Sequence, residues 1–262
     1  MLVGDAYPRI GGCLRRRIDI RRNSNGAVVA WLEDDFHHLG LTLEHDGERV
    51  TDIRVASERL PFTTCPLAEV SLKNLVGQEL SRRSTDIGAM VKMREQCTHM
   101  FDLAGLAMAQ AAAGRDHRHY EAIVADREIV AWEAGTRRLL GPGEAWLLCD
   151  NNEVLRWTVD QRAIIGPAEW AGQALVEGFR GRTEDMPIEQ AEAASVLRRA
   201  IMVAGGRSFD PDTVTTAADR WQRGVCYTFL EENRADGLRN FGNALNYEDS
   251  GDGMLAKRAE KP

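Results

Sequence analysis

The chain has 262 residues, enough to bury a substantial core as one large domain or two small ones. Its 44% hydrophobic and 28% charged content excludes extended disorder and a fibrous fold, and a net charge of −7 argues against a general nucleic-acid-binding surface. No apolar stretch reaches the roughly 18 residues of a membrane-spanning helix, and no signal-peptide plan opens the chain. The expectation is a cytoplasmic protein with neither membrane nor nucleic acid as partner.

In chain order, RRRIDIRR alternates and SNG is a turn, with AVVAWLEDDFHH as the return strand of a hairpin. Arg15, Arg16, Arg17, Arg21 and Arg22 are interleaved with Ile18 and Ile20, which reads as the solvent face of a strand. Leu39, Leu41 and Leu43 alternate toward a His45-Asp46-Gly47 turn, and Val50, Ile53 and Val55 resume beyond it. Leu67, Val70, Leu72, Leu75 and Val76 have helical spacing closed by Gly77. A second, alanine-rich helix is expected from AMVKMREQ through CTHMFDLAGLAMAQAAAG to Gly114. Between Tyr120 and Ile165 short strands return, with DNN as a turn. Helices are expected around 168–177 and from Pro187 to Gly205-Gly206, then an amphipathic stretch from Val214 to Gly242 and a frayed tail from 248. The fold class is therefore α+β: an N-terminal antiparallel sheet with helices, then a β-meander and helical segments. Composition divides the chain into residues 1–114, 115–247 and a flexible tail, 248–262.

Five cysteines, Cys13, Cys65, Cys97, Cys149 and Cys226, are an odd and scattered set that fits reduced thiols. Three polar clusters lie where regular elements start or end. These are Asp34, Asp35, His37 and His38 in EDDFHH; Cys65 in TTCP; and Cys97, His99 and Asp102 in CTHMFD. Thiolate, imidazole and carboxylate are the ligand set of zinc or ferrous iron. Asp34, His38, Cys65, Cys97, His99 and Asp102 are the candidate ligands. Cys65, His99, Asp35 and His37 are the candidate catalytic groups. On a continuous strand, Asp35 and His37 would face one side and Asp34, Phe36 and His38 the other; Phe36 favours the second set as inward. His99 and Asp102 share a helical face, whereas Cys97 joins them only from a non-helical first turn. No CxxC pair, HExxH or nucleotide-binding loop is present, so no nucleotide cofactor is indicated. Each cluster also has a plainer meaning, a solvated turn for the carboxylates and histidines and core filling for the thiols. Arg234 and Arg239, near Tyr227, could reach a carboxylate on a small-molecule substrate.

The first half resembles the iron–sulfur scaffold fold of the IscU and NifU N-terminal type. VTDIRVASERLPFTTCPLAEVSLKNLVGQEL supplies the strand, loop cysteine and helix, CTHMFDLAGLAMAQAA the late cysteine-bearing helix, and WLEDDFHH the region of the first ligands. The scaffold's first cysteine is replaced here by carboxylate and histidine, which favours a mononuclear metal or a thiol site over cluster assembly. Over nearly its full length, through EDDFHH, PFTTCP, CTHMFDLAGLA and CYTFLEENRADGLRNFG, the chain also resembles domain-of-unknown-function family 2889, which implies no reaction. The expected function is a zinc- or iron-dependent hydrolase or lyase. The alternatives are a metal-free enzyme with Cys65 or Cys97 as nucleophile and His99 or His38 as base, and a non-catalytic metal- or partner-binding module. A homo-oligomer is left open.

Overall fold

The computed structural model describes residues 7–133 and 137–256. Its fold class is α+β, as expected, and the chain forms two compact units that each draw on separated segments.

The larger unit comprises Arg17–His119, Val214–Leu245 and Gly253–Pro262. Its strands are neighbours in chain order: β1 (Cys13–Arg22, entering this unit at Arg17), β2 (Val28–Asp34), β3 (His38–His45) and β4 (Val50–Arg59). β2 and β3 pair antiparallel from Val28 opposite Leu43 to Glu33 opposite His38, and β3 continues onto β4 with His38 opposite Arg59. The alternation of Leu39, Leu41 and Leu43 does place them in the core, but Gly40 and Thr42 are buried as well, so β3 is covered on both faces. On β1 the inward positions are Leu14, Arg16, Ile18 and Ile20. Arg16, only 1% exposed, therefore departs from the expected solvent face because strand parity overrides its charge.

The helix expected over Leu67–Val76 is instead a tight succession: a 3₁₀ turn (Cys65–Ala68), α1 (Glu69–Leu72) and a second 3₁₀ turn (Lys73–Leu75). Tighter winding turns Cys65, Ala68, Leu72 and Leu75 inward and leaves Val70 76% exposed. Likewise, the alanine-rich helix begins later than its composition suggests. Residues 84–95 form short turns around α2 (Ile87–Met90), with Val91 and Gln96 extended, and α3 runs only from Thr98 to Ala113. Gly114 ends it in the left-handed region at φ 63°, as expected. Every residue from Leu103 to Gln110 is buried, which explains the small side chains. At Gly105 a Cβ would lie 2.3 Å from the Ser84 carbonyl oxygen.

From Val214 to Leu245 the expected amphipathic element is absent. The segment holds two 3₁₀ turns, Ala217–Asp219 and Tyr227–Phe229, and no α-helix, with Gly224 and Gly242 at positive φ breaking the periodicity. The tail is also not frayed through its described part, since Met254 and Leu255 are buried and the Leu255 amide donates to Glu33 Oε2 at 2.5 Å. The rest of the expected tail, 257–262, lies outside the described residues.

The smaller unit comprises Met1–Arg16, Tyr120–Thr213 and Asn246–Asp252. Here β5 (His117–Ala125, entering at Tyr120), β8 (Gly143–Cys149), β9 (Asn152–Asp160) and β10 (Ala163–Gly166) form the expected meander, and β6 (Ile129–Glu133) pairs with β7 (Arg137–Leu140). The DNN turn is realised with Asp150 and Asn151 at positive φ. No helix spans 168–177, where Gly172 takes φ 86°; α4 forms later, over Phe179–Glu184. α5 (Ile188–Ala204) starts after Pro187 and ends at Gly205 as the sequence implies. Arg207, just beyond it, is buried and bonded to Asp126 at 2.6 and 2.9 Å and to Glu248 at 2.7 Å. Among the described residues no helix is long and apolar enough to cross a membrane.

Gly40 tests the packing beneath the EDDFHH turn. A Cβ there would stand 2.7 Å from Cε2 of Trp31, its cross-strand partner. Gly40→Ala should lower the urea unfolding midpoint by the equivalent of about 1–3 kcal/mol; an unchanged midpoint would mean that the indole yields freely.

Candidate functional site

EDDFHH spans the turn of the β2–β3 hairpin and is not one continuous strand. β2 ends at Asp34 and β3 starts at His38, so the expected division of Asp34, Asp35, His37 and His38 between the two faces of a continuous strand does not arise. Asp34, Asp35, His37 and His38 are all buried, the two aspartates at 0% exposure. Asp34 closes the turn. Its amide donates to the His37 carbonyl at 2.8 Å, and its Oδ1 accepts from the amides of Phe36 (2.8 Å) and His37 (2.9 Å) and from the His37 ring at Nδ1 (2.9 Å). Aspartate's short side chain suits this local role, because it reaches backbone donors two and three residues ahead.

Arg59 secures the turn from the end of β4. Its guanidinium donates to the carbonyls of Asp34 and Asp35, each at 2.7 Å, and to Glu33 Oε1 at 3.2 Å. It also reaches the carbonyl of Asn243 at 3.3 Å, while the Leu245 amide donates to the Asp35 carbonyl at 2.8 Å. The planar fork lets one cation satisfy several converging oxygens. Nothing in the spacing of the sequence marks Arg59; its part follows from the β3–β4 register that sets it opposite His38.

The same bonds assign the His37 tautomer. An aspartate oxygen that already accepts two backbone N–H groups acts as acceptor toward the ring as well, so His37 donates from Nδ1 and, in its neutral form, keeps the lone pair on Nε2. The His99 ring, from the first turn of α3, lies against that imidazole with ring centroids 3.8 Å apart and planes at 47°. His38 takes a separate place, with Nδ1 3.7 Å from Glu33 Oε1 and its ring 5.4 Å from Trp31. Asp102 sits half-buried one turn beyond His99. Asp34, His37 and His99 are thus predicted residues that the fold brings into one constellation.

Cys65 belongs to another neighbourhood. It begins the 3₁₀ turn before α1, is buried, and its Sγ accepts a hydrogen bond from Thr228 Oγ1 at 3.4 Å. Burial, then the neighbouring Cys97, push the Cys65 thiol up to about 12, against a weaker pull downward from the Thr228 hydroxyl. A shift in that direction favours the protonated thiol and works against the nucleophilic role expected for it. Cys97 is the N-cap of α3, with the non-helical backbone that its joining the others requires.

The arginines expected to bind substrate are buried and face the backbone. Arg234 donates to the carbonyls of Ala218 (2.7 Å) and Arg220 (2.8 Å), and Arg239 to that of Pro61 (3.0 Å). Tyr227 lies in the 3₁₀ turn after Cys226, its amide bonded to the Gln96 carbonyl at 2.9 Å. Among the described residues no group of three or more His, Cys, Asp or Glu side chains is arranged to hold a metal ion.

Residues 7–113 match the family described as Protein of unknown function (DUF2889). The match covers the first part of the chain, including EDDFHH, PFTTCP and CTHMFDLAGLA, whereas CYTFLEENRADGLRNFG lies outside it. No curated protein matches the chain. The likeness to iron–sulfur scaffold proteins gains no support from these findings.

The raised thiol has a consequence for alkaline stability. A group whose folded pKa exceeds its unfolded value keeps its contribution below the unfolded pKa, here the ordinary 9.0, and loses it as pH rises toward the folded value of about 12. Urea melts should therefore show stability declining more steeply above pH 9 in the wild type than in Cys65→Ala. Parallel curves would place the thiol in a more polar setting.

Proposed function

With residues 7–113 matching the DUF2889 family model, we propose that the larger unit carries an acid–base site in which His37, oriented by Asp34, moves a proton on a small organic substrate, with His99 beside it as second proton-transfer group. The reading extends to hydrolase- or lyase-type chemistry, in which a base of this kind activates water or removes a proton next to a carbonyl. The single observation that carries it is the Asp34 Oδ1 to His37 Nδ1 bond at 2.9 Å. A carboxylate held by two backbone amides fixes the imidazole's tautomer and stabilises its protonated form, which is the function of the orienting aspartate in acid–base dyads. A turn needed only for stability is served by the backbone bonds and Arg59; the ring bond and the second imidazole lying tilted against the first go beyond that.

The same bond supports a second reading. Histidines that ligate metals commonly donate their other ring nitrogen to a carboxylate, so His37 and His99 could supply two nitrogens to zinc or iron. The metal would then polarise a carbonyl or activate water.

Turnover of a panel of chromogenic carboxylic esters and β-hydroxy carbonyl compounds tests the acid–base reading. His37→Gln should lower it by about 10²- to 10⁴-fold while the circular dichroism spectrum is retained. A folded His37→Gln protein with full activity would end the proposal. Elemental analysis of protein purified without chelator separates the two readings. Near-stoichiometric zinc or iron that is lost in His99→Ala supports the metal, and activity in metal-free protein supports the imidazoles alone.

A further inference from the structure

Three of the five cysteines converge within the larger unit, each from a different segment. Cys65 opens the turn before α1, Cys97 caps α3 and Cys226 precedes the Tyr227–Phe229 turn. Two bonds connect these segments. The Tyr227 amide donates to the Gln96 carbonyl at 2.9 Å, setting the chain at Cys226 beside the chain at Cys97, and Thr228 Oγ1 donates to Cys65 Sγ at 3.4 Å. Standard backbone dimensions around the first bond keep the Cys97 and Cys226 Cα atoms within about 8 Å, an upper limit that includes the separations disulfides span, roughly 4.4–6.8 Å. None of the three is in a disulfide in the structure.

Their exposures differ. Cys65 and Cys97 are buried, while Cys226 is only partly covered and is the thiol that a small oxidant meets first. Cys65 is further occupied by the Thr228 hydroxyl. We propose that Cys97 and Cys226 are an oxidative modification site: hydrogen peroxide converts the pair to a reversible disulfide that ties the first turn of α3 to the 226–229 segment.

The chemistry balances with peroxide as the named oxidant. Cys226 Sγ attacks one peroxide oxygen, the O–O bond breaks, and the departing hydroxide leaves as water with the thiol proton, so Cys226 becomes a sulfenic acid. Cys97 Sγ then attacks Cys226 Sγ. The S–O bond breaks, the hydroxyl departs as a second water with the Cys97 proton, and the S–S bond forms. Two thiols lose two electrons in total and one peroxide gains them. Cys97 lies two residues before His99, whose ring lies against that of His37, so the bond would restrain the helix turn that carries half of the imidazole pair. The disulfide itself does not rest on any catalytic reading.

Trypsin separates the cysteines cleanly, placing Cys65 in the peptide 60–73, Cys97 in 95–115 and Cys226 in 224–234. The reduced full-length chain is treated with a small molar excess of hydrogen peroxide, blocked with N-ethylmaleimide, digested without reductant and read by mass spectrometry. The expected product is peptide 95–115 linked to 224–234, dissociating on addition of dithiothreitol. A link between 60–73 and 95–115 instead, over-oxidation of Cys226 without any link, or full recovery of the maleimide-blocked Cys97 and Cys226 peptides would each overturn the proposal. Cys226→Ser is the control, in which the link should be lost.

Discussion

The guanidinium of Arg59 is the interaction on which the β2–β3 corner depends. It meets two turn carbonyls at 2.7 Å and the Glu33 carboxylate at 3.2 Å, in a place where Asp34 and Asp35 have no exposed surface. Burying carboxylates and peptide oxygens without partners would cost several kcal/mol. One forked cation at the end of β4 offsets much of that cost, and it can stand there only because the β3–β4 register sets Arg59 opposite His38. The remote segments at Asn243, Leu245 and Leu255 complete the arrangement through backbone groups. Residues more than two hundred positions apart in sequence therefore share one polar network.

That network explains why five titratable side chains crowd six positions. Asp34 shapes the turn, and by accepting from the His37 ring it also selects which imidazole nitrogen keeps its lone pair. In the proposed acid–base reading the same carboxylate would serve both the turn and the imidazole, so a role in folding need not compete with one in proton transfer. α3 contributes its own imidazole from the first turn, where Cys97 is still non-helical and His99 already helical. The small residues that fill the rest of that helix allow it to be buried on all sides, and the close approach at Gly105 sets how near the preceding turns can come.

The thiols form a second, softer polar region of the same unit. Cys65 is a buried thiol, shifted toward its protonated form, with a hydroxyl partner, and its meaning in a sequence pattern, a loop cysteine before a helix, differs from its physical state. Spacing carries no information on dielectric environment. The environment decides whether sulfur is a nucleophile, a ligand or a packing atom.

Local regularities were determined by the sequence itself: the alternation that builds β3 and β4, the glycine that stops α3, the Pro187 and Gly205 limits of α5, and the turn at Asp150-Asn151. Each depends on φ preference or on a side-chain period that acts within a few residues. The candidate ligands and bases were equally legible as residue types, because EDDFHH and CTHMFD are dense in chemistry. Tertiary structure alone decided that EDDFHH turns between Asp34 and His38, that Arg16 and Arg207 are buried cations, that Arg234 and Arg239 serve backbone carbonyls, and that residues 65–75 wind more tightly than an α-helix. It also decided that His37 meets His99 and that Cys226 comes beside Cys97. Such outcomes rest on which distant groups are available to satisfy a buried donor or acceptor. No periodicity within the segment records that supply.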